Sequence, residues 1–117
     1  MNSTKKREHM ITIEDVVERI GYQVKLFLGN SGKTTVENSK FIIEDKDFIL
    51  NVSGNNDNND CSVTVELIIK KDGDDSKFEN SYSSNTVEEI DKVVSLINTT
   101  LWNNYLVWKY KHNKITV

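Results

Sequence analysis

CSVTVELIIKK, residues 61–71, alternates with a period of two. Val63, Val65, Leu67 and Ile69 fall on one side, and Ser62, Thr64, Glu66 and Ile68 on the other. A β-branched run of this period reads as a strand with one buried face. The stretch before it, GNNDNND at 54–60, has no apolar residue and reads as a turn. Asp72-Gly73 after it is a hairpin turn dipeptide.

Working outward, Asp47 to Ser53 alternates in the same way, with Phe48, Leu50 and Val52 inward. Glu44-Asp45-Lys46 turns the chain before it, and Phe41-Ile42-Ile43 is a short apolar run. Lys33 to Ser39 reads either as a paired strand or as a loop. Tyr22, Val24, Leu26 and Leu28 alternate as a first strand, followed by a turn at Gly29-Asn30-Ser31-Gly32. Lys77 to Ser84 is a last, polar strand anchored by Phe78 and Tyr82.

Helical spacing occurs twice. Thr12 caps a short helix of about two turns, with Glu14 and Asp15 at the positive end of its dipole. Ile13, Val16, Val17 and Ile20 form its apolar face, and Gly21 is expected to end it. Thr86-Val87-Glu88-Glu89 matches a capping box and opens a long helix over about residues 86–108. Ile90, Val94, Ile97, Leu101, Tyr105 and Trp108 make its stripe, which Val93 widens. Asn98-Thr99-Thr100 is the place where that helix would loosen, and residues 115–117 fit a short edge strand.

These elements predict an α+β, two-layer fold. An antiparallel sheet of three to five strands carries a short N-terminal and a long C-terminal helix on one face. With 117 residues there is room for one domain, at 11–117, and residues 1–10 read as a disordered tail. His9-Met10 has the look of a cloning junction, with Met10 the native start.

Composition narrows the function. Net charge is -3, but fourteen acids face five lysines between Glu37 and Asp91, while the flanks are basic. Charge of one sign gathered in one region steers partners of the other sign; the plainer reading is a set of solvated turns. The single Cys61 excludes an internal disulfide and a cysteine zinc site, and reads as a buried or half-buried thiol. No apolar run approaches the ~18 residues of a membrane span, and no signal peptide follows Lys5-Lys6-Arg7. The expected location is the cytoplasm of a bacterial host cell. The lack of proline and the abundance of asparagine point to AT-rich coding, as in a low-GC bacterium or its phage.

No motif for chemistry is complete. Ser31-Gly32-Lys33-Thr34 lacks the earlier glycine of a phosphate loop, Phe27 standing there instead, and no helix start follows. The Asp57 and Asp72 runs lack the glycine and the final glutamate of a calcium loop. HExxH and GxSxG are absent, and Cys61 has no neighbouring base. Asn51-Val52-Ser53 and Asn98-Thr99-Thr100 match the glycan acceptor pattern by chance. The expectation is a non-enzymatic protein with no cofactor and no metal.

Trp102, Tyr105, Trp108 and Tyr110 crowd the C-terminal helix beside Lys109 and Lys111. One reading is stacking on nucleic acid next to positive charge; the other continues the core stripe through Tyr105 and Trp108. Trp102 falls beside the stripe as an exposed contact residue.

TIEDVVERIGYQVKL at 12–26 and EEIDKVVSLINTTLWNNY at 88–105 resemble segments of the small phage anti-CRISPR proteins that inhibit type II RNA-guided nucleases by DNA mimicry. The resemblance covers under a third of the chain. It implies acidic side chains occupying the cleft that reads duplex DNA, here Asp57, Asp60, Asp72, Asp74, Asp75 and Glu79. Glu88 and Glu89, at the acidic start of the long helix, join the candidate partner-binding residues, as does Trp102. This chain departs from that family in its greater length, in a larger insert around 29–60 and in its basic C-terminal end.

The expected function is an inhibitor from a phage or mobile element. It would bind a basic nucleic-acid-binding surface on a host defence nuclease and exclude the nucleic acid. The alternatives are an immunity or antitoxin protein against a nuclease toxin, a small nucleic-acid-binding domain using the basic aromatic C-terminus, and a plain scaffold domain. The two acidic turns should emerge at opposite ends of the 61–71 strand, about 30 Å apart. The DGDD turn, nearer in sequence to Glu79 and to the start of the long helix, is the expected binding end.

Overall fold

The structure is a computed structural model that describes residues 11–28, 32–57, 60–70 and 75–113. Helix α1 (Ile13–Leu28) leads into a five-stranded meander: β1 (Lys33–Glu37), β2 (Lys40–Glu44), β3 (Phe48–Asp57), β4 (Asp60–Ile69) and β5 (Ser76–Ser84). Helices α2 (Val87–Lys92) and α3 (Val94–Asn113) follow. The sheet order is β1-β2-β3-β4-β5, with every neighbouring pair antiparallel. This is the expected α+β class, with strands at the upper end of the expected number. The tail at 1–10, the Asp72-Gly73 turn and the edge strand at 115–117 lie outside the described residues.

Alternation sets the two faces of the sheet. Phe41 and Ile43 on β2, Phe48, Leu50 and Val52 on β3, and Val63, Val65, Leu67 and Ile69 on β4 are all buried. The register carries the pattern across the sheet: Val52 pairs with Val65, and Leu50 with Leu67. Ile13, Val16, Val17, Ile20 and Val24 of α1, with Ile90, Val94, Ile97 and Leu101 of α2 and α3, close the core from the same side. Cys61 is buried as expected, its thiol 3.1 Å from Asn56 Oδ1. Residues on the opposite face, such as Asn51, Thr64 and Glu66, are half-buried or exposed, and among the described residues no helix covers them.

The N-terminal helix is longer than the sequence reading allows. It does not stop at Gly21, and Tyr22–Leu28 is helix rather than a first strand. A Cβ on Gly21 would overlap the Phe41 ring, so this glycine serves close packing rather than a helix end. The stripe Ile13, Val16, Val17, Ile20 simply continues through Val24, while Leu26, placed inward by a period of two, is 81% exposed. Gly54 does the same from the sheet side: a Cβ there would lie 2.7 Å from Ile13 and 2.8 Å from Val17. Two missing side chains thus let α1 settle onto β2 and β3.

Hairpin pairing and a helix break complete the elements. GNNDNND is not wholly a turn, because β3 and β4 run on through it until Asp57 pairs with Asp60. Lys33–Glu37 is a strand, joined to β2 through Asn38 (φ 45°) and Ser39 (φ 65°). Two successive positive φ values match the twist a two-residue hairpin needs. The C-terminal helix breaks at Val93, not at Asn98-Thr99-Thr100.

Both caps are present. Thr12 Oγ1 accepts from the Asp15 N–H at 3.1 Å, and Asp15 accepts from the Thr12 N–H at 3.1 Å. Thr86 Oγ1 accepts from the Glu89 N–H at 3.2 Å. The Glu89 carboxylate itself meets Lys92 at 3.4 Å. Between elements, Arg19 pairs with Asp91 and Asn98 donates to Gln23, fixing α1 beside α2 and α3.

Candidate functional site

The acidic candidates separate into two groups along β4. Asp57 and Asp60 face each other at the β3–β4 tip, and both are exposed. β5 runs antiparallel to β4, so it ends where β4 begins, with Ser84 opposite Cys61. Thr86 caps α2 just beyond Ser84, and Glu88 and Glu89 stand exposed on its first turn. Asp57, Asp60, Glu88 and Glu89 therefore belong to one end of the domain. The sequence reading grouped Glu88 and Glu89 with the DGDD turn; the return of β5 sends them to the opposite end.

Asp75 lies at the other end, next to Ser76, which pairs with Ile69. Nine residue steps of β4 separate the ends, or about 30 Å. Asp72 and Asp74 lie outside the described residues. Glu79 belongs to neither end: it sits mid-strand on the open face, opposite Glu66.

That open face carries the polar network of the molecule. Lys77 Nζ is 2.9 Å from Glu66 Oε2, and Asn51 Nδ2 donates to Glu66 Oε1 at 3.0 Å. The Lys77 hydrogen bond, then that of Asn51, holds the Glu66 carboxyl below the usual carboxylate value. Lys77 is pushed up in return, mainly by the Glu66 hydrogen bond. Thr64 and Ser81 hydroxyls share a hydrogen bond of 3.0 Å. On the first turn of α1, Glu14 is lowered, chiefly because the Ser39 hydroxyl donates to it at 2.6 Å. Glu66 and Glu14 are carboxylates with hydrogen-bonding partners near solvent, and neither is a desolvated acid poised for proton transfer.

Trp102 is not the exposed contact residue expected. It is half-buried, with its ring edge-on to Phe27 at a centroid distance of 4.6 Å. The continuation of α1 as a helix brings Phe27 there, a partner that a strand at 22–28 would not supply. Tyr105 lies 5.9 Å from Trp102 and stacks on Trp108 at 6.2 Å, so the aromatics form a row along α3. Tyr105 and Trp108 pack against the core, as the stripe required.

Two recesses flank Trp108. The larger, about 410 Å³, lies between α3 and β5, with Lys77, Phe78, Asn104 and Lys111 on its walls. The smaller, about 250 Å³, is bounded by Asp47, Phe48, Ile69, Lys70 and Tyr105. The signal for this aromatic and lysine setting was present in the spacing of Tyr105, Trp108 and Lys111. The contribution of Lys70 and Lys77 was not, since it depends on the end of β4 and the start of β5 lying beside α3.

Among the described residues, no polar or charged side chain is fully buried. Among them also, no three of His, Cys, Asp and Glu are grouped to hold a metal ion, and no helix is long and apolar enough to cross a membrane. No family model matches the chain, and no curated protein or solved structure is significantly similar to it.

Proposed function

We propose that the protein is a non-enzymatic inhibitor of anti-CRISPR type, from a phage or mobile element, acting in the cytoplasm of a bacterial host. The observation that carries this reading is the gathering of Asp57, Asp60, Glu88 and Glu89 at one end of the sheet. Two come from a hairpin tip and two from a capped helix start, so paired backbone holds both. Exposed carboxylates on rigid elements imitate the charge of a phosphate backbone and steer the domain toward a basic cleft. The partner is a nuclease surface that otherwise holds nucleic acid, and binding there excludes the nucleic acid.

The test is target-duplex binding by a guide-loaded type II nuclease. The wild-type protein should block it. Replacing Asp57 and Asp60 by Asn and Glu88 and Glu89 by Gln together should abolish the block with the fold kept and only a small fall in melting temperature from the lost helix-dipole contacts. Asp75→Lys, at the far end, should keep it. Full inhibition by the fourfold variant would overturn the reading.

A second reading has its own observation: the recesses beside Trp108, with Lys70, Lys77 and Lys111 on their walls. Aromatic surface beside lysine suits single-stranded nucleic acid. Retardation of single-stranded DNA at low salt, lost in Trp108→Ala, would favour this reading over the inhibitor.

A further inference from the structure

β5 is the long edge of the sheet, and it is open. It pairs with β4 over nine residues without a bulge, and among the described residues nothing pairs with its outer side. Proteins keep such edges from recruiting strands by proline, bulges, short length or a cover. The opposite edge, β1, is five residues long with Lys33 and Glu37 exposed at its ends. β5 has neither proline nor bulge, and of its two charges Lys77 is taken up by Glu66.

The helix-side row of β5 is also unfinished. On β4 that row is buried from Cys61 to Ile69, whereas Phe78, Asn80 and Tyr82 on β5 are only half-buried. Asn80 Nδ2, midway along, has no acceptor among the described residues. The backbone groups of an open edge are met by another strand.

We propose that this strand is β5 of a second copy, running antiparallel about a two-fold axis at Asn80 and joining the two five-stranded sheets into one. The inference is independent of the function proposed above. SKFENSYSS maps onto itself when reversed, a match that a strand of another protein has no reason to supply. Residues equidistant from Asn80 come opposite each other: Phe78 meets Tyr82, Lys77 meets Ser83 and Glu79 meets Ser81. The axis repeats each contact, as in any isologous pair. Two aromatic cross-strand pairs then form on the helix side. At the axis the two Asn80 carboxamides face each other, each able to donate to the other, and Asn80 Nδ2 gains the acceptor it lacks.

Charge and length fix the register. An axis at Lys77 or Glu79 would set that charge directly against its own copy. An axis at Phe78 would pair Lys77 with Glu79 but leave Ser81 to Ser84 without a partner in β5 of the second copy. Only the axis at Asn80 pairs the strand along its whole length. Asp57, Asp60, Glu88 and Glu89 lie beyond the Ser84 end, so the pair carries its two acidic ends at opposite ends of the joined sheet.

The test is the mass in solution of the full chain, by sedimentation from about 1 to 500 μM, a span suited to a small interface. The wild type should pass from one to two copies. The double variant Ser81→Glu with Ser83→Lys puts like charges across the axis from Glu79 and Lys77. Both positions are exposed, and the variant should stay single with its melting temperature nearly kept. For register, Lys77→Cys and Ser83→Cys are oxidised alone and mixed; Cys61, being buried, does not compete. A covalent dimer should form in the mixture and in neither variant alone, because each position lies about 20 Å from its own copy, well beyond the reach of a disulfide. A wild type that stays single throughout overturns the proposal. So does a single-cysteine variant that links to itself, or a mixture that does not link, since either means another register or another surface.

Discussion

Gly21 lies so close beneath the Phe41 ring that a Cβ on it would overlap the ring carbons. Phe41 is fully buried on β2, and Tyr22, the next residue of α1, meets the same ring edge-on at 4.8 Å. One residue without a side chain therefore sets how closely α1 approaches the sheet. Gly21→Ala should destabilise the fold. The methyl group has to displace Phe41, at about 1–3 kcal/mol for an overpacked core. That outweighs the gain of about 1 kcal/mol from replacing glycine within a helix. Urea denaturation measures the difference, and adding Phe41→Leu should recover part of it. A stabilised Gly21→Ala protein would mean that the helix does not sit on Phe41.

Hydrogen bonds from Lys77 and then Asn51 to its ionised form hold the Glu66 carboxyl below the usual carboxylate value in the folded protein. Its contribution to stability is present above the unfolded value and is lost as pH falls through the lower, folded value. Lys77 mirrors it: raised above the usual lysine value by the Glu66 hydrogen bond, it contributes below its unfolded value and loses its effect as pH rises through the folded one. Between about pH 7 and pH 3 the wild type should lose more stability than Glu66→Gln, by about 0.5–1 kcal/mol. Urea midpoints at the two pH values give the comparison.

Thr86 caps α2 just beyond the end of β5, its hydroxyl accepting from the Glu89 N–H. Thr86→Ala should cost about 1 kcal/mol. Glu89→Gln should be close to neutral, since the 3.4 Å contact of its carboxylate with Lys92 is exposed. A loss in Glu89→Gln with none in Thr86→Ala would show that the Glu89 carboxylate, and not the Thr86 hydroxyl, secures this helix start.

If the acidic end docks on a basic cleft, association should slow as salt screens the charges over about 10 Å at 0.1 M. The on-rate should fall as salt rises, with a smaller change in the off-rate. Stopped-flow binding to the nuclease measures both. An on-rate indifferent to salt would remove steering from the mechanism.

Strands β3 and β4 were legible because alternation of Phe48, Leu50 and Val52, and of Val63 to Ile69, fits no helix. The cap at Thr86 and the stripe from Ile90 to Trp108 were legible because both are local, within a turn or two. Tyr22–Leu28 was not, since a period of two and a period of 3.6 both fit so short a run. The candidate site was legible only as a list of exposed acids. Grouping Glu88 with the Asp72 turn relied on distance along the chain, which the return of β5 reverses.

The sequence by itself determined the α+β class, the buried faces of the long strands, the helix starts and the uneven distribution of charge. All of these depend on neighbours within about ten residues, where periodicity and capping act. Tertiary structure alone decided that α1 runs on past Gly21, because only the Phe41 ring gives that glycine its purpose. It also decided that Asp57, Asp60, Glu88 and Glu89 share one end. Their meeting depends on the antiparallel pairing of Ser84 with Cys61, a contact between residues far apart in the chain that no local pattern encodes.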